Sequence, residues 1–429
     1  MPVRHVAAVV VGNGLEFYDF LTYAYFAIYI GRAFFPSSSP SSSLLASLAT
    51  FGVGFVTRPI GGIVIGRIGD RLGRKPAMLL SFSLMGVAIV GLALTPPRSI
   101  IGIAAPLLVV FFRMLQGFAL GGEVGPATAF MLEAAPPERR GFYAAFQAWT
   151  QDASVLVSGL VGLGLASVLN EHQLQDFGWR VAFLIGASII PFGLLLRRSL
   201  PETFHGREAG KPQHVPLRPY LSLILIALLL LASGTIGTYV RTYMTTYAIA
   251  TLHMHANIAF AATIVVGFAG VLVDLPGGAL SDRIGRKPVM LISIALLVLM
   301  VIPAFGMITH YRTATIFLAC TAMLSILGSA STAPLYAWFG ESLPAPIRSG
   351  GLAIVYAFAI AVFGGTTQYS VAWLIKVTSN PLAPAYYWTA AAVVGLAAAA
   401  LARESSPRRQ HNRGAPLVEL TDESTGATT

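Results

Sequence analysis

The chain has 429 residues, of which 55% are hydrophobic and only 11% charged, with a mean hydropathy of +0.72. Soluble domains run near 25% charged, so a water-facing globule is excluded. A formal charge of +10 would suit nucleic acid in a soluble protein. Here the cations are sparse and separated by apolar runs, and they form no phosphate-binding face.

Crossing a hydrocarbon core takes about 20 mostly apolar residues, and twelve stretches meet that requirement. In the first half they lie near 6–30, 44–66, 77–95, 100–132, 142–168 and 179–197. The second half gives 219–247, 257–280, 288–308, 313–338, 349–376 and 383–402. The first stretch contains Glu16 and Asp19 and is too long and too acidic for a signal-peptide core, so it reads as a retained helix. The one cysteine, Cys320, lies in an apolar run; it excludes an intrachain disulfide and reads as a small core residue. With the N-terminus inside, the inner segments hold 20 of the 28 Lys and Arg residues and the outer segments five. That asymmetry places both termini on the cytoplasmic side.

Asp70-Arg71-Leu72-Gly73-Arg74-Lys75-Pro76 recurs 212 residues later as Asp282-Arg283-Ile284-Gly285-Arg286-Lys287-Pro288. A weaker echo pairs Glu133…Arg140-Gly141 with Glu341…Arg348-Ser349-Gly350 at an offset of 208. Two echoes at nearly one spacing imply two halves related by an axis along the membrane normal, with substrate bound between them. The expected fold is an all-α membrane protein of twelve transmembrane helices in two pseudo-symmetric six-helix halves. The N-terminal bundle covers 1–198, a polar cytoplasmic linker 199–218 and the C-terminal bundle 219–403. The polar tail 404–429 lacks an apolar heptad and reads as disordered.

The Gly66-x-x-x-Asp70-Arg71-x-Gly73-Arg74-Lys75 pattern, repeated around Asp282, resembles the signature of the major facilitator superfamily. The resemblance implies a latch between the cytoplasmic ends of the two bundles. Its residues would be Gly66, Asp70, Arg71, Gly73, Arg74 and Lys75 in one copy, and Asp282, Arg283, Gly285, Arg286 and Lys287 in the other. An aspartate there can pair with arginines and cap a neighbouring helix N-terminus. Finer motifs resemble the metabolite:proton symporters. They are Gly12-Asn13-x-x-Glu16-Phe17-Tyr18-Asp19-Phe20, Arg58-Pro59-Ile60-Gly61-Gly62, Arg113-Met114-Leu115-Gln116-Gly117-Phe118 through Glu123, and Gly178-Trp179-Arg180. Within that family the first half is most similar to the citrate and tricarballylate symporters, and the likeness thins after helix 6. Phe17, Trp149 and Asp152 depart from the family pattern.

Eight formal charges fall inside the expected spans: Glu16, Asp19, Arg58, Arg113, Glu123, Asp152, Arg241 and Asp274. A charge at the bilayer centre costs about 2.5–3.5 kcal/mol even on the insertion scale, so each is a functional candidate. The resemblance implies an Asp19–Arg113 pair on helices 1 and 4 that opens when Asp19 takes a proton. An anion that competes for the arginine frees the carboxylate to do so; a static packing pair is the alternative. Glu16 shares a helix face with Asp19, and Tyr23 and Tyr25 follow it with hydroxyls that can line a cavity. Glu123 and Asp152 complete the proton-path candidates, although for Glu123 a structural pairing with an arginine of a neighbouring loop is the favoured reading.

Arg58, Arg113 and Arg241 are the candidate carboxylate ligands, because a guanidinium binds a carboxylate bidentately. For Arg58, pairing with an acid on a neighbouring helix stands as the alternative. Tyr23, Gln147, Gln151, Tyr239 and Tyr243 are the neutral substrate-binding candidates. The last two share a helix 7 stripe with Thr242 and Thr246, and an outer vestibule would give the same polarity. Asp274, near Pro276-Gly277-Gly278, is expected beside the latch. His253 and His255 supply too few ligands for a metal, no nucleophile or nucleotide-binding loop is evident, and no cofactor is expected beyond the proton. The expected function is proton-coupled import of an organic acid anion, a di- or tricarboxylate such as citrate, across the bacterial inner membrane. The alternatives are a symporter for a sugar, an aromatic acid or betaine and proline, a drug exporter, or a membrane-embedded enzyme or receptor. The expected partners are the anion, protons and the lipid bilayer, with no nucleic acid and no obligate protein partner.

Overall fold

The computed structural model describes residues 14, 17–72, 74–121, 135–198, 218–343, 351 and 354–406. Among them every regular element is helical. In the N-terminal half, α1 comprises 17–25 and Ala27–Phe34, and α2 comprises Pro40–Val56 and Arg58–Leu72. They are followed by α3 (Arg74–Leu94), α4 (Ala104–Gly121), α5 (Arg140–Val168) and α6 (Trp179–Arg198). The C-terminal half contains α7 (Leu221–Ala250), α8 (Ala256–Ile284), α9 (Arg286–Tyr311), α10 (Ala314–Ser342), α11 (Ile354–Thr378) and α12 (Ala383–Leu401). Ten of these helices, all but α1 and α6, are long and apolar enough to cross a membrane among the described residues. Each of the twelve helices, over its described residues, overlaps one of the predicted stretches. Exposed Val168, Ile354 and Leu401 carry apolar surface on the outside, as a lipid solvent requires.

Two irregularities position polar groups. Helix α2 is interrupted at Thr57, whose hydroxyl donates to the Gly54 carbonyl at 3.3 Å and to the Met114 carbonyl of α4 at 2.7 Å. Pro59 has no N–H to continue the ladder, and the break precedes Arg58. Helix α11 widens into a π-turn over Ile360–Gly364, a local geometry that often marks functional positions. Added side-chain atoms at Gly364 would strike Tyr239 of α7 and Phe55 of α2.

The halves meet most extensively where α5 packs against α8. Small residues let the two backbones approach: a Cβ on Gly278 would meet the Gly141 carbonyl, and one on Gly267 would meet the backbone of Leu156. At one end of this seam Asp282 accepts hydrogen bonds from the backbone N–H groups of Gly141 and Phe142, both at 2.9 Å. A carboxylate of the C-terminal half thereby caps the first turn of α5, where the helix dipole favours negative charge. Arg286 is fully enclosed, pairing with Asp282 at 2.7 Å and bidentately with Glu341 at 2.9 and 3.2 Å.

Glu404 accepts from the backbone N–H groups of Arg286 and Lys287 at 2.9 and 3.2 Å, and Ser405 donates to Glu341 at 2.7 Å. The start of the sequence's polar tail is therefore fixed to the latch. Gly285 has φ +105° and lies where a Cβ would meet the Glu404 carboxylate, so only glycine fits that corner. In the second latch copy Asp282 and Arg286 pair, whereas Arg283, expected in the latch, is exposed and makes no ion pair among the described residues. In the first copy Arg71 is exposed and Gly66 has open space beside it. Gly73 and the side chains of Asp70, Arg74 and Lys75 lie outside the described set, as do the linker 199–217 and the tail beyond 406.

Candidate functional site: a buried arginine box and a carboxyl seam

Two clusters of buried polar groups occupy the middle of the molecule. The first is an arginine box in the N-terminal half. The guanidinium carbons of Arg58 (α2) and Arg113 (α4) lie 4.3 and 4.2 Å from the centroid of the same ring, Phe20 of α1. Arg58 also lies over Phe55 at 4.4 Å, and Arg113 over Tyr23 at 4.5 Å and Phe51 at 4.9 Å. Each cation–π contact contributes about 0.5–2 kcal/mol, which offsets part of the desolvation of a buried cation.

Arg113 is 0% exposed. It donates to Gln116 Oε1 at 2.6 Å and more distantly to the carbonyls of Phe51 at 3.4 Å and Phe20 at 3.5 Å, while its Nε has no partner. No carboxylate pairs with it among the described residues. Tyr239 reaches into this box from the other half, its ring edge-on to Phe51 and Phe55 at 6.0 and 5.5 Å.

The expected Asp19–Arg113 pair does not form. Asp19 is buried on the face of α1 turned to α6, where a Cβ on Gly186 would overlap its carboxyl, and Oδ1 has no partner. The neighbouring Tyr18 hydroxyl donates to the Ala182 carbonyl at 3.0 Å on the same side. Phe20, one residue on, turns to α2 and α4 instead, because successive helix positions diverge by about 100°. Glu16 and Glu123 fall outside the described residues.

The second cluster is a carboxyl seam between the halves. Arg241 (α7) donates to the Ser329 hydroxyl (α10) at 2.9 Å, to Thr238 Oγ1 at 3.2 Å and to the Ser325 carbonyl at 3.4 Å. Ser329 in turn donates to Asp152 Oδ2 (α5) at 3.1 Å. Asp152 lies against Asp274 of α8, and Tyr25 of α1 lies beside Asp152, Arg241 and Thr242. Asp274 is therefore corrected: it belongs to this seam, and Arg286 of the latch takes Asp282 and Glu341 instead. The separation along α8 is eight residues, about 12 Å.

The remaining candidates divide. Gln147 is buried with Nε2 unpartnered, and Gln151 lies beside Tyr356. The Tyr23 hydroxyl is not free to line a cavity; it is tied to Ser47, donating to its carbonyl at 3.3 Å, while Arg113 covers the ring. Tyr243 leaves the expected stripe and packs on Tyr247 in the apolar core of the C-terminal half, 6.5 Å between rings. His253 and His255 are exposed in the loop between α7 and α8, and Cys320 is buried in the core. No group of three or more potential metal ligands occurs among the described residues.

The sequence profile of the Major Facilitator Superfamily matches residues 14–275 and 262–424. The chain belongs to the major facilitator superfamily. A citrate-proton symporter of Klebsiella pneumoniae is 33% identical over 395 residues, spanning 90% of this chain and 88% of its own length. The alpha-ketoglutarate permease of Escherichia coli is 35% identical over 391 residues and 89% of each chain. A proline/betaine transporter of Escherichia coli is 30% identical over 422 residues, 94% of this chain and 84% of its own. Among solved structures, the partially occluded inward-open xylose transporter XylE from E. coli superposes with a TM-score of 0.75 at 18% identity, covering 93% of this chain and 98% of that one. These relatives are transporters, and a multi-pass superfamily transporter is what the twelve helices and the Asp282 latch form.

Sequence reasoning missed several members of the two clusters. Phe20 and Gln116 were visible inside the motifs but carried no charge to single them out. Phe51 and Phe55 looked like ordinary apolar helix residues. Ser329 had no signal, since a serine in a superfamily helix is common and only packing brings it between Arg241 and Asp152.

Proposed function

We propose that this superfamily transporter is a proton-coupled symporter that imports an organic acid anion, a di- or tricarboxylate, across the bacterial cytoplasmic membrane. In this reading both termini and the Asp282 latch lie on the cytoplasmic side, in accord with the distribution of lysine and arginine. The observation that carries the anion reading is Arg113: a fully enclosed guanidinium that, among the described residues, has no carboxylate partner and an unused Nε–H. Arginine presents its donors in a planar fork that matches a carboxylate. Arg58, which shares the Phe20 ring, supplies a second charge, and Tyr239, whose ring packs on Phe51 and Phe55, supplies a neutral donor. The names of the citrate and alpha-ketoglutarate relatives support the same class of substrate. A betaine would seek the faces of aromatic rings for its quaternary ammonium, and the guanidinium groups already cover Phe20, Phe51 and Phe55.

Transport follows from which end of the cavity is open. With the latch engaged, the α5–α8 seam is closed toward the cytoplasm, so an anion enters from outside and is drawn to the arginines. In this reading Arg241, which reaches the Asp152 carboxylate through Ser329, is the arginine whose attraction to the anion ties binding to proton uptake. The test is uptake into proteoliposomes under an imposed inward proton gradient, with citrate, 2-oxoglutarate, xylose and glycine betaine offered separately. Accumulation of a carboxylate driven by the gradient is expected. Carboxylate uptake indifferent to the gradient rejects the coupling, and transport of xylose or betaine alone rejects the anion.

A further inference from the structure

The proton of this proposed cycle needs a binding group, and the obvious one, Asp19, faces α6 rather than Arg113. The carboxyl seam offers a different place. Asp152 comes from the N-terminal half and Asp274 from the C-terminal half, and the two carboxyls lie side by side at the helix pair that joins the halves. Gly270 precedes Asp274 by four residues, hence on the same face of α8, and a Cβ there would overlap the Asp152 carboxyl. Both Asp274 oxygens are buried without a hydrogen-bond donor, and the residue is 0% exposed. Two ionised carboxylates repel across such a contact and need a cation to offset them, whereas one proton between them makes a strong hydrogen bond.

We propose that Asp152 and Asp274 hold the coupling proton between them, across the moving interface of the two halves, and that Arg241 links this proton to the bound anion through Ser329. The inference rests on the symport reading above. Among the described residues, the groups facing the pair are Arg241 from α7, Ser329 and Tyr336 from α10, and Tyr25 from α1. Arg241 is the one cation among them. In the empty carrier it stays with the carboxylates and offsets their charge, so the deprotonated pair is tolerated and the carrier returns.

An anion in the cavity draws Arg241 away from Ser329, and the pair then closes only after taking a proton from the outer side. On opening to the cytoplasm the proton leaves a carboxyl oxygen for water, the two carboxylates repel, and Arg241 returns as the anion departs. One proton enters and one leaves per cycle, with no bond made or broken other than O–H.

The experiment uses the full chain in proteoliposomes with radiolabelled citrate and 2-oxoglutarate, and compares Asp152→Asn, Asp274→Asn and Asp19→Asn. The expected result is loss of gradient-driven accumulation in the first two, with counterflow of the anion preserved, and accumulation preserved in Asp19→Asn. Preserved counterflow also demonstrates that the variants fold. Anion-induced infrared difference spectra supply an independent readout: a protonated-carboxyl band is expected in the wild type and in Asp19→Asn, and not in the other two. Full accumulation in either seam variant overturns the inference, and so does a wild type that shows no such band on binding the anion. If instead the wild type itself moves citrate without regard to the gradient, the symport reading fails and not merely the location of the proton.

Discussion

Arg113 and Arg241 are both buried arginines near the centre of the same molecule, yet their surroundings differ in kind. Arg113 is held by ring faces, one amide and backbone carbonyls, none of which carries a negative charge. Arg241 is held by hydroxyls, and the nearest of these leads directly to Asp152. Aromatic packing tolerates a cation without neutralising it, so the charge at Arg113 remains available to a ligand. A hydroxyl relay to a carboxylate spends that charge inside the protein. The N-terminal half is therefore built to receive an anion, and the seam with the C-terminal half is built to balance one.

Substitutions test that division, and the largest effect is expected at the box. Arg113→Gln removes the enclosed fork and should weaken citrate binding by about 3 kcal/mol, roughly a hundredfold in Kd. Isothermal titration on the purified protein measures it, and an unchanged Kd would break the comparison outright. Arg241→Gln should act differently, leaving Kd within about tenfold, a change of some 1.4 kcal/mol, while uptake loses its dependence on the proton gradient. Equal loss of binding in the two variants would make both arginines substrate ligands and erase the distinction.

A smaller effect is expected for Phe20→Leu. It keeps apolar volume but removes the ring shared by Arg58 and Arg113, at about 1 kcal/mol per lost cation–π contact. Transport should persist with a raised KM, and an unaltered KM would mean that the ring does not position the guanidiniums. The smallest belongs to Ser329→Ala, which deletes one hydrogen-bond relay of about 1 kcal/mol. Citrate binding linked to uptake of one proton tightens as pH falls, by up to about tenfold per unit. Ser329→Ala should flatten that slope and leave the Kd at the lower pH in place; an unaltered slope would remove Ser329 from the link.

The latch shows how far sequence reading reaches. Asp282 was legible as a helix cap because the required chemistry is local: a carboxylate, a following arginine and a glycine corner, all within a few residues. Glu341, the second acid on Arg286, carried part of the same signal through the repeat, but Glu404 did not, since it lies in a segment whose polarity looks like solvent exposure. Asp274 was misplaced for the opposite reason. Proximity in sequence to Pro276 and the latch loop suggested proximity in space, whereas two turns of helix carry it back into the bilayer-depth seam. The Asp19–Arg113 expectation failed on rotation alone. The residues are on the correct helices, and a side chain one position along, Phe20, occupies the side facing Arg113.

By itself the sequence determined the twelve spans, the two-half plan, the latch and the short roster of buried charges. Hydropathy, charge asymmetry and an internal repeat are one-dimensional quantities, and the energetic demand that lipid be met by apolar helices makes them nearly sufficient. What the tertiary structure alone decided is which of those charges meet. Pairing depends on helix rotation and on where glycines let α5 and α8 close, and neither is written as a local pattern. For that reason the enclosed, unpaired Arg113 and the facing carboxyls of Asp152 and Asp274 came into view only when the two halves were packed together.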